Sequence, residues 1–225
     1  MSNQIKAKQR VADHGEVFTN PREVNAMLDL VKQETERIDS RFLEPACGTG
    51  NFLVEILRRK LAVVRARHGK NLPEYEKNCF VAISSIYGVD LLTDNVQECR
   101  DRLFEIIEDA YKKQSKQNYN PKFMEVVQFL LNKNILCGDV LTLKDRNNDP
   151  IIFCEWSVAI GNKVKRRDFR LDEMLEGSET DSMKLFGASG GSALEWEYDE
   201  ETQSYIPSPI KEYPLVDFYE VGNYE

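Results

Sequence analysis

The sequence predicts an α/β domain built on a mostly parallel sheet flanked by helices, and three observations predict it. Between Arg41 and Leu53 a short apolar run gives way to a tight glycine turn and then to an amphipathic helical pattern, so the stretch reads as strand, loop, helix. Two later apolar runs, Cys79 to Val89 and Ile135 to Leu141, lie next to an aspartate and are separated by helical patterns, which alternates strands with helices. The chain has 225 residues, 41% apolar and 30% charged, which suits one domain with a sizeable core and an extra lobe.

Taken in order, residues 1–13 read as a loose arm. A helix then starts with Asn20 as N-cap, Pro21 at the first helical position and Glu23 completing a capping box, and it packs through Val24, Met27, Leu28 and Val31. Strand 41–46 carries Glu44 at the end where open α/β sheets bind ligands. Gly48 and Gly50 then let the backbone turn sharply beside a ligand, and the next helix aims its unpaired N–H groups at the same place. Leu53, Ile56, Leu57, Leu61 and Val64 form the buried face of that helix, and the polar stretch Arg65 to Asn78 reads as an extended loop. Cys79 to Val89 reads as the second strand, closed by Asp90, whose carboxylate suits a pair of ribose hydroxyls. Asp94 with Gln97 is placed to cap the next helix, whose stripe runs from Val96 to Ala110. A polar loop, Tyr111 to Asn120, precedes a helix bearing Phe123, Val126, Val127, Leu130 and Leu131; Lys112, Lys113, Lys116 and Lys122 read as a solvated face. The strand from Ile135 ends in Gly138-Asp139, and a fourth strand is expected at Pro150 to Cys154.

The string Leu43-Glu44-Pro45-Ala46-Cys47-Gly48-Thr49-Gly50-Asn51-Phe52-Leu53 resembles the S-adenosylmethionine-binding loop of the adenine-specific (amino) DNA methyltransferases, the modification subunits of restriction systems. Gly15-Glu16-Val17-Phe18-Thr19-Asn20-Pro21 is similar to the amino-terminal cofactor motif of that family, and Gly138-Asp139-Val140 to its third. The resemblance implies a Rossmann-like methyltransferase fold with S-adenosyl-L-methionine as cofactor. It implies that Phe18 and Thr19 border the methionine part, that Glu44 faces its cationic end, that Asp90 with Leu91 meets the ribose, and that Asp139 accepts from the adenine amine. The dinucleotide-dehydrogenase pattern fits less well: the third glycine of its fingerprint is Leu53, and Asp90 falls 40 residues after Gly50 rather than about 20.

The family's catalytic Asn/Asp-Pro-Pro-aromatic motif is not present where the resemblance places it. After the expected fourth strand stand Glu155, which offers a hydrogen-bond acceptor, and Trp156, which offers a ring to stack on a flipped base. These two are the candidate catalytic pair of a divergent site; a strand without catalytic machinery fits the same residues. The chain after Val158 is also short for the rest of such a sheet and a DNA-recognition domain, so the fold is expected to be incomplete and a protein partner to supply recognition. Lys163, Lys165, Arg166, Arg167 and Arg170 form a basic cluster, yet the net charge is −8, which supports DNA binding only weakly.

Residues 14–171 are read as the methyltransferase-like domain. Residues 172–225 are read as an acidic, Gly/Ser-interrupted and mobile segment followed by a proline-punctuated, extended end, Tyr205 to Leu215, that docks on the domain or on a partner. Five widely spaced cysteines (Cys47, Cys79, Cys99, Cys137, Cys154) without a Cys-x-x-Cys pair argue against a metal site or disulfide framework, and the absence of a signal peptide or membrane span points to the cytoplasm. Two functions follow: a DNA adenine-N6 methyltransferase-like enzyme, or a catalytically inactive cofactor-binding or interaction protein of a restriction-modification or mobile-element system.

Overall fold

The structure, a computed structural model, describes residues 19–175, 196–199 and 204–224, with only the main chain described for 196–199 and 204–207. The first helix begins where the sequence predicts, but of the residues expected to pack only Val24 and Leu28 are buried; Met27 is exposed, and Val31 is exposed and lies beyond the helix. Helix α1 (Pro21–Asp29) has Pro21 at its first position, and the Asn20 side chain accepts from the Arg22 N–H at 2.9 Å. A short α2 (Lys32–Thr35) leads into β1 (Phe42–Glu44).

The main sheet runs β1, β2 (Ile86–Asp90), β3 (Ile135–Asp139), β4 (Lys144–Asp145), with the first two pairings parallel and the last antiparallel. Parallel neighbours need a long crossover, and here each crossover is a pair of helices. The first carries α3 (Asn51–His68) and α4 (Leu72–Ser84), the second α5 (Thr93–Ser115) and α6 (Pro121–Asn134).

The last turn of α3, which runs to His68, and helix α4 replace the expected loop at 65–78, and α4 also takes the start of the expected strand from Cys79. Asn71 caps it by accepting from the Glu74 N–H at 3.3 Å, and Pro73 sits in its first turn. Tyr75, Cys79, Phe80, Ala82 and Ile83 are all buried, so the apolar run that looked like a strand is helical to Ser84 and extended only from Ile86. Short apolar runs fit either period, and packing on α3 decides this one. The expected Asp94 cap also differs: the N-cap position of α5 is Leu92, without a side-chain cap.

The expected fourth strand does not join the parallel sheet. It is displaced to β5 (Ile152–Val158), which pairs antiparallel with β6 (Lys163–Arg170) along its whole length. Strands β7 (Trp196–Asp199) and β8 (Ser204–Pro207) form a hairpin of their own. Strands β9 (Lys211–Glu212) and β10 (Val216–Asp217) add to β6, so the end of the chain docks on the domain. Among the described residues β1 has one strand neighbour, β2.

One core lies under the helices and joins Leu53, Leu57, Phe80, Leu103 and Leu130 to Trp156 of β5 and to Phe218 and Val221 of the C-terminal 3-10 turn (Phe218–Tyr224). A smaller cluster on the other face takes Tyr87 and Val89 from β2 with Ile151, Phe153 and Leu171. Because strand side chains alternate, β2 feeds both layers. Among the described residues no helix is long and apolar enough to cross a membrane.

Candidate functional site

Strands β1, β2 and β3 are parallel and adjacent, so their carboxyl ends open on the same side. Each ends in an acid: Glu44, Asp90 and Asp139. The turn between β1 and α3 lies across this edge. Cys47 N–H donates to Val89 O at 2.9 Å, and Gly50 N–H closes the turn on Cys47 O at 2.8 Å. Gly48 and Gly50 have φ of +50° and +85°. A side chain at Gly50 would place its Cβ 2.5 Å from Cys99 Sγ, whereas Gly48 has open space around it, as a turn lying against a ligand requires.

Asp90 organises the edge. Its Oδ2 accepts from the Gly48 N–H at 2.8 Å, and its Oδ1 accepts from the Leu92 N–H at 2.9 Å and from Asn95 Nδ2 at 3.1 Å. The carboxylate therefore braces the glycine turn; with two donors on Oδ1 and one on Oδ2, it keeps about one acceptor site, on Oδ2, for a further donor. Glu44 is half-buried, and burial pushes its carboxyl above the usual range. The Cys47 thiol is pushed far up by its hydrogen bond with Cys99, by burial and by the nearby Asp90 and Glu44 carboxylates, so it is protonated and a poor nucleophile. Asp139 Oδ1 accepts from the Leu141 N–H at 2.9 Å, which turns the chain after β3.

Helix α3 starts here with Gly50 in the left-handed conformation and no side-chain cap, leaving the N-terminal donors of an 18-residue helix directed at the edge. Asn51 stands at its first position and donates through Nδ2 to Thr19 O at 3.2 Å. Two motifs separated in sequence are thus joined in space. Phe18 lies outside the described residues. Pro45, Ala46 and Leu91 are exposed, while Phe52 packs partly on the main core and Val140 on the smaller cluster. Arg102, which sequence reasoning missed, reaches in from α5: its Nη1 donates to Thr49 O, to Thr49 Oγ1 at 3.0 Å and to Asn51 Oδ1 at 2.9 Å. No local signal marks it, since it reads as one more charge on a long helix.

The structure places the candidate catalytic pair elsewhere. Trp156 is 8% exposed, with Phe80 and Phe129 edge-on to its ring at 6.0 and 6.1 Å and its Nε1 donating to Asn134 Oδ1 at 3.2 Å. A ring so enclosed has no face for a base, so Trp156 is a core residue. Glu155 points to the other side of β5, where Arg41 at 2.6 Å and Arg167 at 2.5 Å neutralise it. Most of the basic cluster is paired within the chain: Arg166 is buried against Asp168, Arg167 meets Glu155, Arg170 meets Asp172 and Lys165 meets Glu212, while Lys163 is exposed.

An apolar cavity of about 280 Å³ opens beside the start of β1, lined among others by Phe42, Leu43, Tyr87, Phe153 and Leu175. None of Glu44, Gly48, Gly50, Asp90 and Asp139 lines it, whereas Glu155 and Arg41 do. Among the described residues no group of His, Cys, Asp and Glu is placed to hold a metal ion. Comparison of the chain with protein-family models, with curated proteins and with solved structures gave no match.

Proposed function

We propose that this chain binds S-adenosylmethionine at the carboxyl edge of β1–β3 and is the cofactor-binding part of a DNA adenine-N6 methyltransferase-like protein. The observation that carries the reading is the convergence of Glu44, the glycine turn, Asp90 and Asp139 on one edge. The cofactor carries an amino-acid end with a sulfonium, a ribose and an adenine, and the edge offers a chemical partner for each. The half-buried Glu44 attracts the cationic end, Asp90 accepts from one ribose hydroxyl at the site left on Oδ2, and Asp139 accepts from the adenine amine. The turn lets the backbone lie against the ligand, and methyl transfer to an amine held in line then rests on positioning.

A second reading has its own support. With Trp156 in the core and Glu155 ion-paired, neither candidate catalytic group faces the crevice. The chain then binds the cofactor without transferring its methyl group unless a partner supplies the acceptor site, and it serves a restriction-modification or mobile-element system as an interaction protein.

Calorimetric titration tests the common premise. S-adenosylmethionine and S-adenosylhomocysteine are expected to bind and NAD is not; no binding of the first two overturns the reading. Asp90→Ala should weaken binding by about 1.5–3 kcal/mol per hydrogen bond lost. Transfer of a labelled methyl group to DNA, with and without added partner proteins, separates the two readings.

A further inference from the structure

We propose that Arg102 and Asn51 act as a positioning relay, presetting the glycine turn and hooking residue 19 over it, so that they govern affinity for the amino-acid end of the cofactor. The proposal rests on the adenosylmethionine reading above. Arg102 has only donors to offer. One of its nitrogens holds Thr49 O, Thr49 Oγ1 and Asn51 Oδ1 together, tying α5 to the end of the turn through charge-assisted bonds. That contact also sets the Asn51 amide: its oxygen faces the cation, so its NH₂ points away, and there it meets Thr19 O at 3.2 Å. Without the cation the amide is free to flip, and Thr19 loses its anchor.

The relay sits where the turn runs into α3, and Asp90 meets the same turn one residue earlier, at the Gly48 N–H. Thr49, Asn51 and Thr19 cluster at the end of the turn and the start of α3, whereas Asp90 and Asp139 close β2 and β3. With its adenine at Asp139, its ribose at Asp90 and its cationic end at Glu44 of β1, as in the reading above, the ligand points its amino-acid end toward the turn that the relay presets. Relay and aspartates are then separable by ligand fragments.

The test is calorimetry with S-adenosylmethionine and with 5′-methylthioadenosine, which keeps the nucleoside and lacks the amino-acid portion. Asn51→Ala and Arg102→Met are expected to weaken S-adenosylmethionine about tenfold or more while leaving 5′-methylthioadenosine within about twofold. Asp90→Ala should weaken both, and Arg102→Lys, which keeps a cationic donor, should recover part of the loss. Equal weakening of both ligands by the relay variants reveals a general structural role and overturns the proposal, as does wild-type affinity in both. If wild type binds neither ligand, the cofactor reading falls and the relay with it. If wild type binds and Asp90→Ala alone is impaired, only the relay falls. Should Arg102→Met fail to melt cooperatively, Asn51→Ala, which leaves the cation beneath the turn, decides the matter.

Discussion

Lys60 carries its amine from α3 into a site with no exposure, where Nζ donates to Ile38 O at 3.0 Å and contacts Ser40 O and Ser85 Oγ. Those contacts tie the approach to β1 to the end of α4. Burial pushes the amine down to about 7 from its ordinary 10.5; Asp39 and Glu34 pull it up, and Arg37 adds to the depression. The sign of the consequence follows from linkage. Between about pH 7 and 10.5 the unfolded chain keeps this proton and the folded chain does not, so stability gains a rising contribution with pH across that window. Below pH 7 both forms are protonated and the cost of burying the charge is borne in full. Urea midpoints at pH 7, 8 and 9 should therefore rise for wild type relative to Lys60→Met; parallel profiles would show that the amine stays charged in the fold.

At the scale of elements, β5 shows how one strand serves two layers. Cys154 and Trp156 face the helices, and Phe153 and Glu155 face the opposite side. Trp156 holds α4 and α6 together through Phe80 and Phe129. Trp156→Ala should lower stability by about 3–5 kcal/mol, the usual cost of a large aromatic lost from a core. Calorimetric unfolding checks this, and a variant as stable as wild type would refute the core assignment. The loop and strand expected at 65–89 are the end of α3, the helix α4 and a shorter strand. Its Asn71 cap and Pro73 are visible in the sequence, but its β-branched run is ambiguous until α3 is seen packed against it.

Across the whole molecule, the C-terminal turn is locked to the helical layer by a buried carboxylate. Glu76 of α4 accepts from the Tyr111 hydroxyl of α5 and from the Tyr219 hydroxyl of the turn. Burial first, and then the hydrogen bond to Glu76, pushes both phenols up, so both stay protonated donors. Glu76→Ala takes the acceptor from two hydroxyl donors, although the Tyr111 oxygen still accepts from the Asn120 N–H, and should cost about 1–3 kcal/mol for each donor left unpaired. Hydrogen exchange over residues 218–224 should accelerate; unchanged protection would mean that Phe218 and Val221 anchor the turn unaided.

Local chemistry alone determined much of the candidate edge. A glycine turn after a short strand, acids at three strand ends and the Asn20-Pro21 helix start all act within a few residues, and each stands where its local pattern puts it. Only the tertiary structure decided the rest. Arg41 and Glu155 are 114 residues apart in the chain, and Arg102 and Asn51 are 51 apart, so no local period encodes either contact. The same holds for β5, whose alternation suits a strand in any sheet. It lies against β6 rather than in the parallel sheet because Trp156 finds its core between α4 and α6, and neither of the two residues whose types had suggested catalysis then stands at the carboxyl edge.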